Sequence, residues 1–157
     1  MVRNPVLCAL LAASSLSFAQ TNVSGVLMTP KPEPVVAKAG ATIEVKLPLQ
    51  LRDGYHVNSN MPPDPYLVPL RLTWDSGSLT VAEIAYPKPS FLKADFFPGP
   101  LPVFSGRFEL LTRFKVASSA QPGLVNVPGK LRYQACNDRM CLPPKTIEIT
   151  LPVSVTR

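Results

Sequence analysis

The chain has 157 residues, 46% of them hydrophobic, with 16 Lys and Arg against 10 Asp and Glu. That is enough for one domain with a real core and too little for two. The basic residues stand singly, with no cluster and no interleaved aromatics, which argues against nucleic acid and leaves a solvated surface with a weak preference for acidic partners.

The first segment reads as an export signal rather than as part of the domain. Arg3 supplies a short positive start, and Val6 to Leu16 is an apolar run. Ser17-Phe18-Ala19 fits a small-x-small cleavage site, so residues 1–19 are expected to leave and 20–157 to form the mature chain. The run is too short to span a bilayer well. Cys8 lies inside it, too early for lipid attachment, and departs with it. Of three cysteines, Cys136 and Cys141 then remain, one pair in an oxidising compartment. No other stretch is long and apolar enough to cross a membrane, so the mature chain is not expected to span one.

Taken in order, the rest reads as strands. A first edge strand is expected near Val35-Val36. From Thr42 to Leu51, the residues Ile43, Val45, Leu47, Leu49 and Leu51 share one face, and Pro48 places that strand at an edge or a bend. Arg52-Asp53-Gly54 is a turn signal, and Tyr55-His56-Val57 starts the next strand. Asn58 to Pro69 is a polar, proline-rich loop. Leu70 to Trp74 and Leu79 to Tyr86 read as two further strands, with Trp74 and Tyr86 in the core. Pro87 to Pro102 carries Phe91, Phe96 and Phe97 among several prolines, too long and too proline-rich for a hairpin turn, and loops of this length are often functional. Strand character resumes from Val103 to Val116, from Val125 to Ala135, and from Lys145 to Val155. Nineteen prolines recur between these runs, where strand ends and edges accept them. The pattern predicts an all-β, immunoglobulin-like β-sandwich of about seven to nine short strands, with no amphipathic helix.

The chemistry concentrates in Tyr133 to Pro144, YQACNDRMCLPP. Leu131, Tyr133 and Ala135 alternate into Cys136, and a period of two resumes after Pro144. The two cysteines are therefore expected to face each other across the mouth of a β-hairpin. Opposed residues in an antiparallel pair lie about 4.5–5.5 Å apart, within the roughly 4.4–6.8 Å that a disulfide needs. As a staple, so short a loop contributes only on the order of 2 kcal/mol. As an exchange site, it suits direct attack by a thiolate along the S–S axis, although redox pairs more often read C-x-x-C beside a helix. Spacing alone leaves both readings open. Two thiolates and one distant histidine do not make a four-ligand zinc site, so no metal is expected. His56, the one histidine, reads as a turn-flanking side chain, with the alternative that it lies near the disulfide and helps a thiol lose its proton. Arg139 would favour a thiolate and Asp138 would oppose it.

The same twelve residues resemble the signature of the DsbD N-terminal domain family, which runs from an aromatic-Gln pair through two cysteines to Pro-Pro. The resemblance covers about Val35 to Val155. Asp53-Gly54-Tyr55 is similar to that family's Asp-Gly-aromatic turn, and Lys93 to Gly99 to its cap loop. It implies an immunoglobulin-like fold with a reversible disulfide, Cys136 and Cys141 being the redox pair. Asp95, Phe96 and Phe97 would belong to a lid over the sulfurs, and Tyr55, His56, Asn58 and Tyr133 would flank them. It further implies a periplasmic protein-disulfide reductase activity that needs no cofactor beyond its cysteines. The partners implied are thioredoxin-fold proteins of the isomerase or cytochrome c maturation type. There are departures: the best-known members carry one more residue between the cysteines, and His56 and Asn58 stand where the family has tyrosines. The chain also ends at Arg157 without the family's membrane and thioredoxin-like domains, so a separate membrane electron donor is expected.

The expectation is thus an exported module that passes electrons between thioredoxin-like proteins. Its rival is an exported β-sandwich binding module in which the disulfide only fixes a recognition loop. A third reading is an assembly subunit whose membrane partner is encoded separately.

Overall fold

In the computed structural model, residues 25–93 and 97–157 are described. The expected signal segment 1–19, with Cys8, and Asp95 and Phe96 of the expected lid lie outside them. The described residues form an all-β sandwich, as expected. One sheet contains β1 (Leu27–Met28), β3 (Thr42–Leu51), β9 (Arg107–Val116) and β6 (Leu79–Ala85), in that order. The second contains β2 (Val35–Lys38), β12 (Lys145–Thr156), β10 (Gly123–Tyr133) and β5 (Arg71–Trp74). A third, smaller sheet contains β11 (Ala135–Cys136), β4 (His56–Asn58), β8 (Pro100–Ser105) and β7 (Ser90–Lys93).

Alternation in sequence becomes alternation in burial, because successive side chains of a strand face opposite ways. On β3, Val45, Leu47, Leu49 and Leu51 are buried. They meet Leu110, Phe114 and Val116 of β9 and Leu131, Leu151 and Val153 of the second sheet in one core. The third sheet adds Val57, Phe104 and Ala135 to that core from one of its faces. Pro48 falls where expected: β1 flanks β3 only at Gln50 and Leu51, so among the described residues no strand pairs with Pro48 on the side away from β9.

Trp74 anchors the core. Its indole N–H donates to the Thr112 hydroxyl at 3.0 Å, and its ring meets Phe114 edge-on with centroids 5.5 Å apart. Tyr86 is half-buried, and its hydroxyl accepts the Leu72 N–H at 3.0 Å. Gly129 pairs with Trp74 across β10 and β5, and a Cβ placed there would come within 2.5 Å of the indole ring. The ring cannot yield without straining its bond to Thr112. Gly129→Ala is therefore expected to cost about 1–3 kcal/mol by overpacking, measured by urea denaturation. An unchanged midpoint would mean that the ring has room to shift.

Three differences from the sequence reading matter. The strands are more numerous than seven to nine, because two-residue pieces such as β1 and β11 carry no periodic signal. The run from Val103 to Val116 is split at Gly106, whose φ of +62° suits glycine and turns β8 into β9. The stretch from Pro87 to Pro102 is not all loop. Ser90 to Lys93 pairs in register with Val103 to Pro100, a hairpin in which Pro100 and Pro102 are tolerated within β8.

Outside the core, the solvent face of the first sheet pairs several of its charges. Arg113 bridges Glu44 at 2.7 Å and Glu83 at 2.9 Å, and Lys46 meets Glu109 at 3.5 Å. Such exposed pairs contribute little stability, and because they engage three acids with two bases they leave the basic excess undiminished.

Candidate functional site

The cysteine pair sits where the chain changes sheets. β10 ends at Tyr133 in the second sheet, Gln134 makes the step, and β11 pairs with β4 in the third. Local bonds hold the step in place. The Gln134 side-chain amide donates to the Leu142 carbonyl at 3.0 Å, and the Leu142 N–H donates to the Ala135 carbonyl at 2.8 Å. Between the cysteines, the Asn137 carboxamide oxygen accepts the N–H groups of Arg139 and Met140, both at 2.9 Å. The Asn137 N–H donates to the Met140 carbonyl at 2.9 Å. This is the turn-forming habit of asparagine. Pro143 and Pro144, with no N–H to satisfy, lead out to β12.

Cys136 and Cys141 are bonded and oppose each other as an antiparallel bridge, as the hairpin reading expected. Their Cα atoms are 4.0 Å apart, closer than the expected spacing, because the tight turn draws the two arms together. The two cysteines are not equally exposed. Cys136 is 2% exposed, whereas Cys141 lies in the exposed class. Asp138, Arg139 and Met140 between them are exposed too.

The register shows what surrounds Cys136. It stands opposite His56 on β4, and His56 stands opposite Ser105 on β8. One residue along, Ala135, Val57 and Phe104 are aligned and turn into the main core. Cys136, His56 and Ser105 therefore share the other face of this sheet, together with Asn58 and Val103. That face is no open surface. Leu101, Val103, Asn58 and His56 are all buried on it, while Ser105, level with Cys136, is exposed. Its cover includes the loop 59–69. The Asn58 side-chain amide donates to the Val68 carbonyl at 3.1 Å, the Ser59 N–H to the Pro102 carbonyl at 2.9 Å, and the Leu70 N–H to the Asn58 carbonyl at 3.3 Å. The sequence reading identifies this segment only as a polar, proline-rich loop. Its signal is Asn58-Ser59, two buried polar residues that need partners.

Burial lowers the His56 pKa below its ordinary value, so the imidazole is neutral at pH 7. Tyr133 turns instead into the main core. Burial raises its phenol pKa, with a backbone hydrogen bond at Leu27 acting the other way. Tyr55 is half-buried and packs against the same core. The structure thus brings His56 and Asn58 to the face of Cys136, and takes Tyr55 and Tyr133 to the core. Phe97 is half-buried in the tip between β7 and β8. From Ser105, level with Cys136, to Pro100 at the base of that tip are five residues of strand, about 16 Å. The stretch that would have to fold back across this distance includes 94–96, outside the described residues. Among the described residues no three His, Cys, Asp or Glu side chains gather as metal ligands would. No described helix is long and apolar enough to cross a membrane.

The family described as "Thiol:disulfide interchange protein DsbD, N-terminal" matches residues 24–152. Among solved structures, the N-terminal periplasmic domain of ScsB from Proteus mirabilis is similar at 16% identity and a TM-score of 0.53. The match covers 80% of this chain and 44% of that one, so this chain spans less than half of that protein's length. The seventh ScaB type I cohesin from Pseudobacteroides cellulosolvens overlays at 13% identity and a TM-score of 0.47, over 83% of this chain and 92% of that one. A search of curated protein sequences gives no match.

Proposed function

We propose, from the premise that this chain belongs to the family of N-terminal domains of the thiol:disulfide interchange protein DsbD, that it passes electrons between thioredoxin-fold proteins through a reversible Cys136–Cys141 bond. The observation that carries this reading is the unequal exposure of the two cysteines. An incoming thiolate must approach one sulfur along the S–S axis. Cys141 offers that approach, and Cys136, backed by the sheet, is the leaving group. The donor is then held through Cys141 until its own second thiolate displaces it, which leaves both cysteines reduced; in the oxidation half Cys141 attacks the acceptor's disulfide and the thiolate of Cys136 displaces the acceptor. The electrons reside in the two thiols, so no cofactor is required.

Around that pair, Asp95, Phe96 and Phe97 form a lid that limits access by stray oxidants and thiols and yields to a docking partner. The partners in this reading are isomerases and cytochrome c maturation proteins on one side and a membrane electron donor on the other. The setting is the periplasm, reached through the signal segment 1–19. The activity is protein-disulfide reduction.

A glutathione redox series tests it. A working exchange pair is expected to titrate between roughly −120 and −270 mV, where exchange proteins lie. A bond that stays closed below about −300 mV behaves as a structural staple, and would favour the binding-module reading.

A further inference from the structure

We infer that His56 is the proton acceptor for the Cys136 thiol in the step that releases the partner. The inference rests on the exchange reading above and assigns a specific proton transfer within it. The geometry is the register: His56 stands directly across from Cys136 in an antiparallel pair, on the same face of the sheet. Side chains so placed have Cβ atoms about 4.5–5.5 Å apart. Both residues are buried.

Burial makes the difficulty and the need plain. A thiol is a poor nucleophile until it loses its proton, and an apolar setting raises its pKa. Cys141 can pass its proton to water. Cys136, at 2% exposure, cannot do so readily. It needs a neutral base within the buried layer. The elements beside His56 offer no other at this level: β11 presents Cys136 itself and β8 presents Ser105. The charged side chains nearby in sequence are Arg52, Asp53, Asp64, Lys93, Arg107, Asp138 and Arg139, with Asp95 outside the described residues. All those described are exposed or half-buried. None contributes to the downward shift of His56, whose cause is burial alone. That shift belongs to the oxidised state, in which Cys136 carries no charge. It keeps the imidazole unprotonated and ready as an acceptor. Once the bond is reduced, a thiolate beside the ring favours the imidazolium, and the pair stabilises itself.

The step balances as follows. The Cys141 thiolate attacks a disulfide of a thioredoxin-fold partner, forming Cys141–S–S–partner and releasing the partner's other sulfur as a thiolate, which takes up a proton. Cys136 S–H gives its proton to His56. The Cys136 thiolate attacks the Cys141 sulfur, the Cys136–Cys141 bond forms, and the partner's second sulfur leaves as a thiolate. That thiolate takes the proton from the imidazolium. Two electrons have passed from this chain to the partner, and His56 is neutral again.

The test uses the reduced full-length chain with Cys8→Ser and, as probe, an aromatic disulfide, dithiobis(nitrobenzoate). Attack by Cys141 releases one coloured thiolate, and resolution by Cys136 releases the second. His56→Gln is expected to leave the first phase unchanged and to slow the second about 10²-fold at pH 7, the lower end of what a general base supplies. It should also remove the inflection in the pH profile of the second phase. In a Cys8→Ser, Cys141→Ser chain, where Cys136 is the sole thiol, ultraviolet titration of the thiolate is expected to shift upward by about 1–3 pH units on the same substitution. His56→Phe should behave alike, and if it fails to fold, His56→Gln still carries the test. An unaltered second phase with an unaltered Cys136 titration would overturn the assignment and leave His56 as packing. Absence of the first phase would count against the exchange reading instead, and the Cys136 titration judges His56 even then.

Discussion

Cys136→Ser is expected to trap this protein on its partner, and Cys141→Ser to prevent capture altogether. The two substitutions remove the same bond, so a structural staple would make them equivalent. The structure makes them different. Cys141 lies at the surface, beside exposed Arg139 and Met140, whereas Cys136 is buried and paired into the third sheet. With Cys136 replaced, Cys141 still attacks a partner disulfide, but nothing returns to displace the partner. The mixed disulfide then accumulates. With Cys141 replaced, the remaining thiol is buried and meets no partner. Non-reducing gels with an oxidised thioredoxin-fold protein should therefore show a lasting adduct for Cys136→Ser and none for Cys141→Ser. Alkylation by iodoacetamide should follow the same order, fast at Cys141 and slow at Cys136. Equal labelling of the two thiols, or adducts from both variants, would remove the basis for assigning them separate roles.

Trp74→Ala is expected to lower stability by about 3–5 kcal/mol, the usual cost of deleting a large buried aromatic. At about 2–4 °C per kcal/mol for a chain of this size, the melting temperature should fall by roughly 6–20 °C. The loss has two parts. The ring leaves a cavity against Phe114, and the Thr112 hydroxyl, at 1% exposure, loses its donor. Trp74→Phe separates them: it keeps most of the volume and strands the hydroxyl, at a cost of about 1–3 kcal/mol. Because Trp74 lies in the main core and not on the face of Cys136, the reduction potential of the Trp74→Phe protein should match that of the unaltered chain. A neutral Trp74→Phe would show that Thr112 finds another partner; a shifted potential would show that the two faces of the third sheet are coupled.

The hairpin and its cysteines were legible in sequence because each rests on local rules. β3 is read from Ile43 to Leu51, and β12 from Ile147 to Val155, since a period of two leaves its mark within a single strand. Cys136 and Cys141 were legible as a facing pair because a five-residue separation at a hairpin mouth has few other outcomes. The motif around them carried the family. The pairing of Ser90 to Lys93 with β8 was hidden by prolines, which speak against strands in general but not at every position of one.

What the chain's own order of residues determined is therefore the all-β sandwich, the buried faces of its long strands and the location of the disulfide, all consequences of interactions between near neighbours. Only the tertiary structure decided that β11 leaves the second sheet to join β4, and with it that His56 stands across from Cys136 while Tyr133 turns to the core. It also decided that one cysteine is buried and the other exposed. Those outcomes depend on which strand pairs with which, and in what register. A shift of one residue along β4 would send His56 into the core and leave Cys136 facing another side chain. No local pattern of the sequence carries that register, because it is set by contacts between segments some eighty residues apart.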